Sequence, residues 1–355
     1  MSNSNLEHLR TILAAAGTHP HVLAAPGGSL LITLRGSRIL GVFPADCPAN
    51  LLWTNRALND QRQAKSLVRS GQWNLGGDRC WLAPEVELHF KSPDHPSHTD
   101  YTVPAAIDPG DYRLEAVGPA AISMITRGQI HNLVSGRSFG FEIWRQISLC
   151  DAPCTCNGSS YVGYTTRTAL SIRPPDRQQA CYGLWQLLQV PPGGQVLIPT
   201  RGLTELVDYF QTGVADHCRT AANHLIFPVT GQTKHKLGLS AAGVCGRMAY
   251  LRQHTQHVAT LIVRDIPALS AGGGPTRVCF ADYPFWDRCR RNVALQFYND
   301  DGQAGGFGEM EHHSVAASAD NLFQTLDLCH TWCFAGPSDK IRALCAELLG
   351  RREMG

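Results

Sequence analysis

Apolar and polar positions alternate with a period of two along most of this chain. In "SFGFEIWRQISLC", residues 138–150, Phe139, Phe141 and Ile143 alternate with Gly140, Glu142 and Trp144. Residues two apart on a strand share a face, so such a run predicts a strand with one buried face. Comparable runs predict strands at 112–117, 121–126, 161–172, 182–189, 195–199, 225–230, 234–239, 244–252, 257–263, 293–299 and 323–334. Residues 29–44 read as a hairpin turning at "RGSR". The clusters "VPPGGQ", "AGGGPT" and "NDDGQAGG" read as turns. No glycine-rich piece leads into G-K-[ST], which argues against a phosphate loop.

Helical periodicity is rare. It predicts a helix near 5–16, with Leu6, Leu9, Ile12 and Leu13 on one face, and another near 338–350. Ser338 is the expected N-cap of the second, and Ile341, Leu344 and Leu348 form its apolar stripe. Residues 59–71 read as a third helix or a polar excursion. There is no long linker, and the only internal echo is a short Glu-x-Glu-x-His pattern. The pattern predicts one mainly β domain over 1–355, built of antiparallel sheets with short terminal helices.

Composition narrows the function. Net charge is +2 with 17% charged residues, which excludes a broad nucleic-acid surface. The short "RCRR" at 288–291 reads as a solvated turn. No basic start precedes an apolar run, and no apolar segment reaches membrane length, so neither secretion nor a membrane partner is expected. The thirteen cysteines are odd in number and scattered, which fits a reducing cytoplasm. In "CDAPCTC", Cys150, Cys154 and Cys156 lack the paired spacing of a zinc site and read as buried or loop thiols.

Two stretches carry candidate chemistry. "EVELH" at 85–89 and "EMEHH" at 309–313 hold four of the ten glutamates. As strands they would place Glu85, Glu87 and His89 on one face, and Glu309, Glu311 and His313, with Phe307, on another. A solvated strand face is the ordinary explanation of such alternation. The flanks favour a pocket instead. "GGDRCWLAPE" offers two glycines for close backbone approach, Trp81 as an aromatic platform, and Asp78 and Arg79 as partners for hydroxyls. Carboxylates about 6–7 Å apart on one strand face raise each other's pKa and suit proton transfer. Alternatively Glu85, Glu87, His89, Glu311 and His313 ligate a divalent metal. Spacing leaves both open.

At these residues the chain resembles the galactose-mutarotase-like (aldose 1-epimerase-like) superfamily, in an uncharacterised branch. The resemblance rests on "ILGVFPADCPANLLWTN", "GGDRCWLAPE", "LWQLLQVPPGGQVLIPT" and "LQFYNDDGQAGGFGEMEHHS" with "TWCFAG", in that order. It implies a β-supersandwich with a concave face that accepts a small-molecule carbohydrate. It implies acid/base isomerase chemistry, with Glu311 or Glu309 as base and histidines, His89 and His313, as acid partners. Asp78, Arg79, Trp81, Glu85, Glu87 and Trp185 would bind substrate. His224, in "NHLIFP", superficially matches the family's central histidine but comes late in the order. The expected alternatives are a divalent-metal-dependent sugar isomerase or lyase on the same fold, and a non-catalytic carbohydrate-binding protein. No certain cofactor is implied.

Overall fold

The structure is a computed structural model of the 355-residue chain. It describes residues 5–47, 49–94, 97–156, 158–174, 181–202, 204–213, 216–221, 223–270 and 279–350. The "AGGGPT" turn lies outside the described residues.

Two antiparallel sheets dominate, as the alternation predicts. The first has nine strands in the spatial order His21–Ala25, Gly28–Thr33, Arg38–Pro44, Asp78–Ala83, Gly183–Val190, Gly308–His313, Val293–Asn299, His235–Ser240 and Leu206–Asp208. The second has ten: Arg219–Ala221, His224–Val229, Gly194–Pro199, Arg247–Gln253, Val258–Asp265, Gln324–Pro337, Ser160–Arg173, Arg137–Cys150, Ala121–Asn132 and Arg113–Val117. Among the described residues, no helix is long and apolar enough to cross a membrane.

Helices cover the outer faces. Leu6–Ala15 starts where Asn5 Oδ1 accepts the amide of His8. It buries Leu9, Ile12 and Leu13 against Leu31, Leu40 and Phe43. Residues 59–71 resolve as a helix, Gln61–Arg69, capped by Asp60. The C-terminal helix Ser338–Leu348 seats Ile341, Leu344 and Leu348 on Leu197, Leu261 and Phe334 of the ten-stranded sheet. Ser338 is its first residue rather than its cap; Pro337 holds the cap position. Trp332 packs in this same cluster.

The strand Asp78–Ala83 explains the two glycines before it. Gly76 and Gly77 have φ of 103° and 79°, and a Cβ on them would lie 2.3 Å from the Trp53 carbonyl oxygen and 2.2 Å from that of Ile39. Only glycine fits both the conformation and the space.

Between the sheets lies a buried polar network. Asp78 accepts from Arg145 Nη2 at 3.2 Å and from the Tyr164 hydroxyl at 2.7 Å. Arg264 stands 3.6 Å from the same carboxylate. Asp327 lies 3.1 Å from His312 Nε2 and accepts from Gln186 Nε2 at 3.0 Å. Asp78 is thus a tie between sheets, and the expectation that it binds substrate is corrected. Arg79, its neighbour, points to the opposite face by strand parity.

Removing one partner of a buried ion pair leaves the other charge uncompensated. Asp78→Ala should therefore cost about 3–5 kcal/mol of folding stability. Urea unfolding measures this as a lowered midpoint.

Candidate active site

Strand register sets the site on the outer face of the nine-stranded sheet. Arg79 pairs with Leu187, Leu187 with Glu311, and Glu311 with Gln296. One row along, Gln189 pairs with Glu309, Glu309 with Tyr298, and Tyr298 with Lys236. Cross-strand partners point the same way. The predicted face of Glu309 and Glu311 is therefore present, on Gly308–His313, with Met310 and His312 turned inward.

The second predicted strand is not. Residues 85–88 form a single helical turn, Glu85–Leu88, after the strand ends at Ala83. Pro84, which lacks a backbone donor and fixes its own φ, stands between them. Glu85, Glu87 and His89 consequently diverge. Glu85 reaches the site. Glu87 accepts from the Tyr283 hydroxyl at 2.6 Å and lies 3.4 Å from Arg291 Nη2, away from the cavity. His89 is buried between Trp81 and Tyr101, ring centroids 5.4 and 5.6 Å away, with Nε2 3.2 Å from the Leu82 carbonyl oxygen.

A cavity of about 120 Å³ opens on this face. Arg79, Trp81, Glu85, Trp185, Lys236, Glu309 and Glu311 line its floor, with aromatic walls from Trp73, Phe90, Tyr101, Phe210, Tyr298 and Phe307. At about 10–15 Å³ per water-sized centre, it holds on the order of ten heavy atoms, or one sugar-sized ring.

Charge is paired across the floor. Lys236 Nζ lies 2.7 Å from Glu85 Oε2 and 3.2 Å from Glu311 Oε2. It also stands over the Trp185 ring at 4.4 Å. Arg79 Nη2 donates to Glu309 Oε1 at 2.7 Å, and its guanidinium stacks over Trp81 at 4.2 Å. Trp185 Nε1 donates to Glu311 Oε2 at 2.7 Å, while Glu311 Oε1 is buried without a hydrogen-bond partner. Behind Glu85, Asp282 accepts its amide at 2.8 Å and Gln296 Nε2 at 2.6 Å.

Ionisation follows from this arrangement. Burial pushes Glu311 up to about 8; Glu309 and Glu85 add to the rise, and Lys236 and Trp185 oppose it. Burial likewise raises Glu85 against the pull of Lys236. Burial works against the Lys236 ammonium, yet Glu311, Glu85 and Asp282 hold it above its ordinary range. Three carboxyl groups share the floor with the Lys236 and Arg79 cations, and Lys234 lines the same cavity.

The histidines expected as acid partners, His89 and His313, are not among the residues that line the cavity. Burial lowers His89 and His313 to about 4, so both rings are neutral at pH 7. His313 is stacked on Trp185 and lies 3.8 Å from Asp282 Oδ2, on the same strand face but outside the cavity lining. The metal reading also fails on geometry. The Lys236 ammonium fills the space between Glu85 and Glu311, and among the described residues no group of three His, Cys, Asp or Glu side chains is set to hold a metal ion. His224 does not line the cavity either. Sequence reading missed Lys236, Lys234, Trp73 and Tyr101; the only trace of the first two was a Lys-x-Lys alternation in "KHK" at 234–236.

Glu311 titrates near 4.5 when unfolded and near 8 in the fold. Between these values the fold holds a proton that the unfolded chain has released. The associated stability is complete below pH 4.5 and is lost as pH rises through 8. Glu311→Gln should remove that dependence. Calorimetry should show the variant's Tm above wild type by roughly 6 °C at pH of about 9, converging near pH 5.

Solved structures similar to this chain include the following three. A galactose mutarotase-like protein from Lactobacillus casei shares 11% identity at a TM-score of 0.48, covering 90% of this chain and 99% of that one. A galactose mutarotase related enzyme from Lactobacillus acidophilus shares 7% at 0.47, with 90% and 97% covered. A GalM/aldose epimerase homologue from C. elegans shares 10% at 0.42, with 90% and 99% covered. No curated protein sequence matches. Residues 50–352 match the model of a family of unknown function, DUF6786, and the chain belongs to that family.

Proposed function

We propose that the cavity binds a carbohydrate ring and that Glu311 exchanges a proton with it, giving an isomerase of the anomer-exchange type. The observation that carries this reading is Glu311 itself. It lines the cavity, is fully buried, holds one oxygen free and keeps its proton to about pH 8. A group poised near the working pH both accepts and returns a proton.

The other floor and wall residues support the same reading. Trp73, half-buried on the cavity wall, presents aromatic surface to the apolar face of a sugar ring, while the rings of Trp81 and Trp185 carry Arg79 and Lys236 over them. Glu85, Glu309 and Arg79 offer acceptors and donors to its hydroxyls. In carboxylate form, Glu311 takes the proton of the anomeric hydroxyl as the ring C–O bond breaks. The ring oxygen takes a proton from the Lys236 ammonium as the bond breaks, leaving the open-chain aldehyde, a neutral amine and protonated Glu311. Closure from the other face returns both protons and inverts the anomer.

A second reading is binding without turnover. It is favoured by the position of His89 and His313, which leaves Glu311 without a histidine partner in the cavity.

Polarimetry across a panel of aldoses decides between them. The wild type should speed anomer exchange of at least one sugar, with a rate that rises through pH of about 8 as the carboxylate form grows. Glu311→Gln should lower the rate about 100-fold or more. Quenching of tryptophan fluorescence should show sugar affinity kept within about tenfold. Binding by both forms with no acceleration of any sugar would leave the binding reading alone standing.

A further inference from the structure

Outside the cavity, two thiols face each other. Cys181 Sγ and Cys279 Sγ are 3.7 Å apart, joining positions 98 residues distant in sequence. Cys279 is exposed and Cys181 half-buried. Their segments are held side by side by more than the sulfurs. Tyr182 is bridged to Ala317 and Phe280 to Val315, so both lead onto the same short segment. The Cys279 carbonyl accepts the Ala316 amide at 2.9 Å. Two residues on from each cysteine, a Cβ placed on Gly183 would lie 3.2 Å from the Ala281 Cβ. Arg291 anchors the place, donating from Nη1 to the Ala281 carbonyl at 2.6 Å.

We propose that Cys181 and Cys279 form a peroxide-sensitive thiol pair that closes to a disulfide and staples residues 279–283 to the start of the strand Gly183–Val190. The chemistry divides between them. The hydrogen bond from Cys181, aided by Arg291, holds the Cys279 thiol well below its ordinary range against the opposing effect of burial. Cys279 is therefore the attacking thiolate, and it is the one that solvent reaches.

The steps balance with hydrogen peroxide as oxidant. The Cys279 thiolate attacks one peroxide oxygen; the O–O bond breaks, an S–O bond forms, and hydroxide leaves with the electron pair. Cys279 is now a sulfenic acid, oxidised by two electrons, and the peroxide is reduced. The Cys181 sulfur then attacks the Cys279 sulfur. The S–S bond forms, the S–O bond breaks, and the Cys181 proton leaves with the hydroxyl as water. A dithiol reverses the process by exchange.

The staple sits one step behind the floor of the cavity. Asp282, three residues past Cys279, holds the Glu85 amide and Gln296. The disulfide would fix that support to the strand that carries Trp185. This assignment does not depend on what the cavity binds.

The test is peptide mapping by mass spectrometry after treatment with about one equivalent of hydrogen peroxide. A cross-linked peptide containing Cys181 and Cys279, lighter by two hydrogens and released by dithiothreitol, is expected. Cys289, also exposed, is the internal control and should stay reduced. In Cys181→Ser the sulfenic acid should persist on Cys279 and be trapped by dimedone; in Cys279→Ser neither product should form. Oxidised wild type should melt roughly 5 °C above the reduced form, a gap absent in both variants. Equal oxidation of Cys279 and Cys289, over-oxidation of Cys279 with Cys181 left free, or a disulfide between other cysteines would overturn the proposal.

Discussion

The site depends on one buried ammonium. Lys236 Nζ sits between Glu85 and Glu311, and none of the three is more than slightly exposed. A charge taken out of water is tolerated only with close partners of opposite sign. Lys236 therefore fixes the geometry of two walls that arise from distant parts of the chain. One is the helical turn after Pro84, the other the strand Gly308–His313. Without the ammonium, Glu85, Glu309 and Glu311 would face one another with one close counter-charge fewer.

The remainder of the fold supplies rigidity to that arrangement. Antiparallel register sets Arg79 and Glu311 on either side of Leu187. Strand parity gives each strand two jobs. Arg79 and Glu311 face the cavity, while Asp78 and His312 turn inward to Arg145 and Asp327 of the second sheet. The chemistry and the packing of the two sheets thus use alternate residues of the same strands. That is why a substitution at Asp78 should be read in stability and one at Glu311 in proton exchange.

Much of the fold was legible in the sequence because period-two alternation is strong where a strand has one core face. The strands at 138–150, 161–172 and 293–299 were placed within a residue or two of their ends. The stretch 85–89 was not, since five residues satisfy a strand pattern and a single helical turn equally well. The proline before it was the better signal. Asp78 and Arg79 were both expected in the pocket, although adjacent strand residues face opposite ways, so parity alone could have removed one. Lys236 was invisible for another reason. A lysine on a strand resembles a solvated position, and its partners Glu85 and Glu311 make it a buried charge. Burial also decides the histidines: the sequence shows an imidazole, but the aromatic stack around His89 makes it a neutral packing group.

The central claim is that burial and the carboxyls around it hold a proton on Glu311 into the neutral range, against the pull of the Lys236 ammonium. Carbon-13 NMR of side-chain-labelled glutamate, followed from about pH 4 to 10, tests it directly. One of the ten glutamate carboxyls should titrate near pH 8, and that signal should be missing from Glu311→Gln. Ten carboxyls all titrating below pH of about 5.5 would contradict the account.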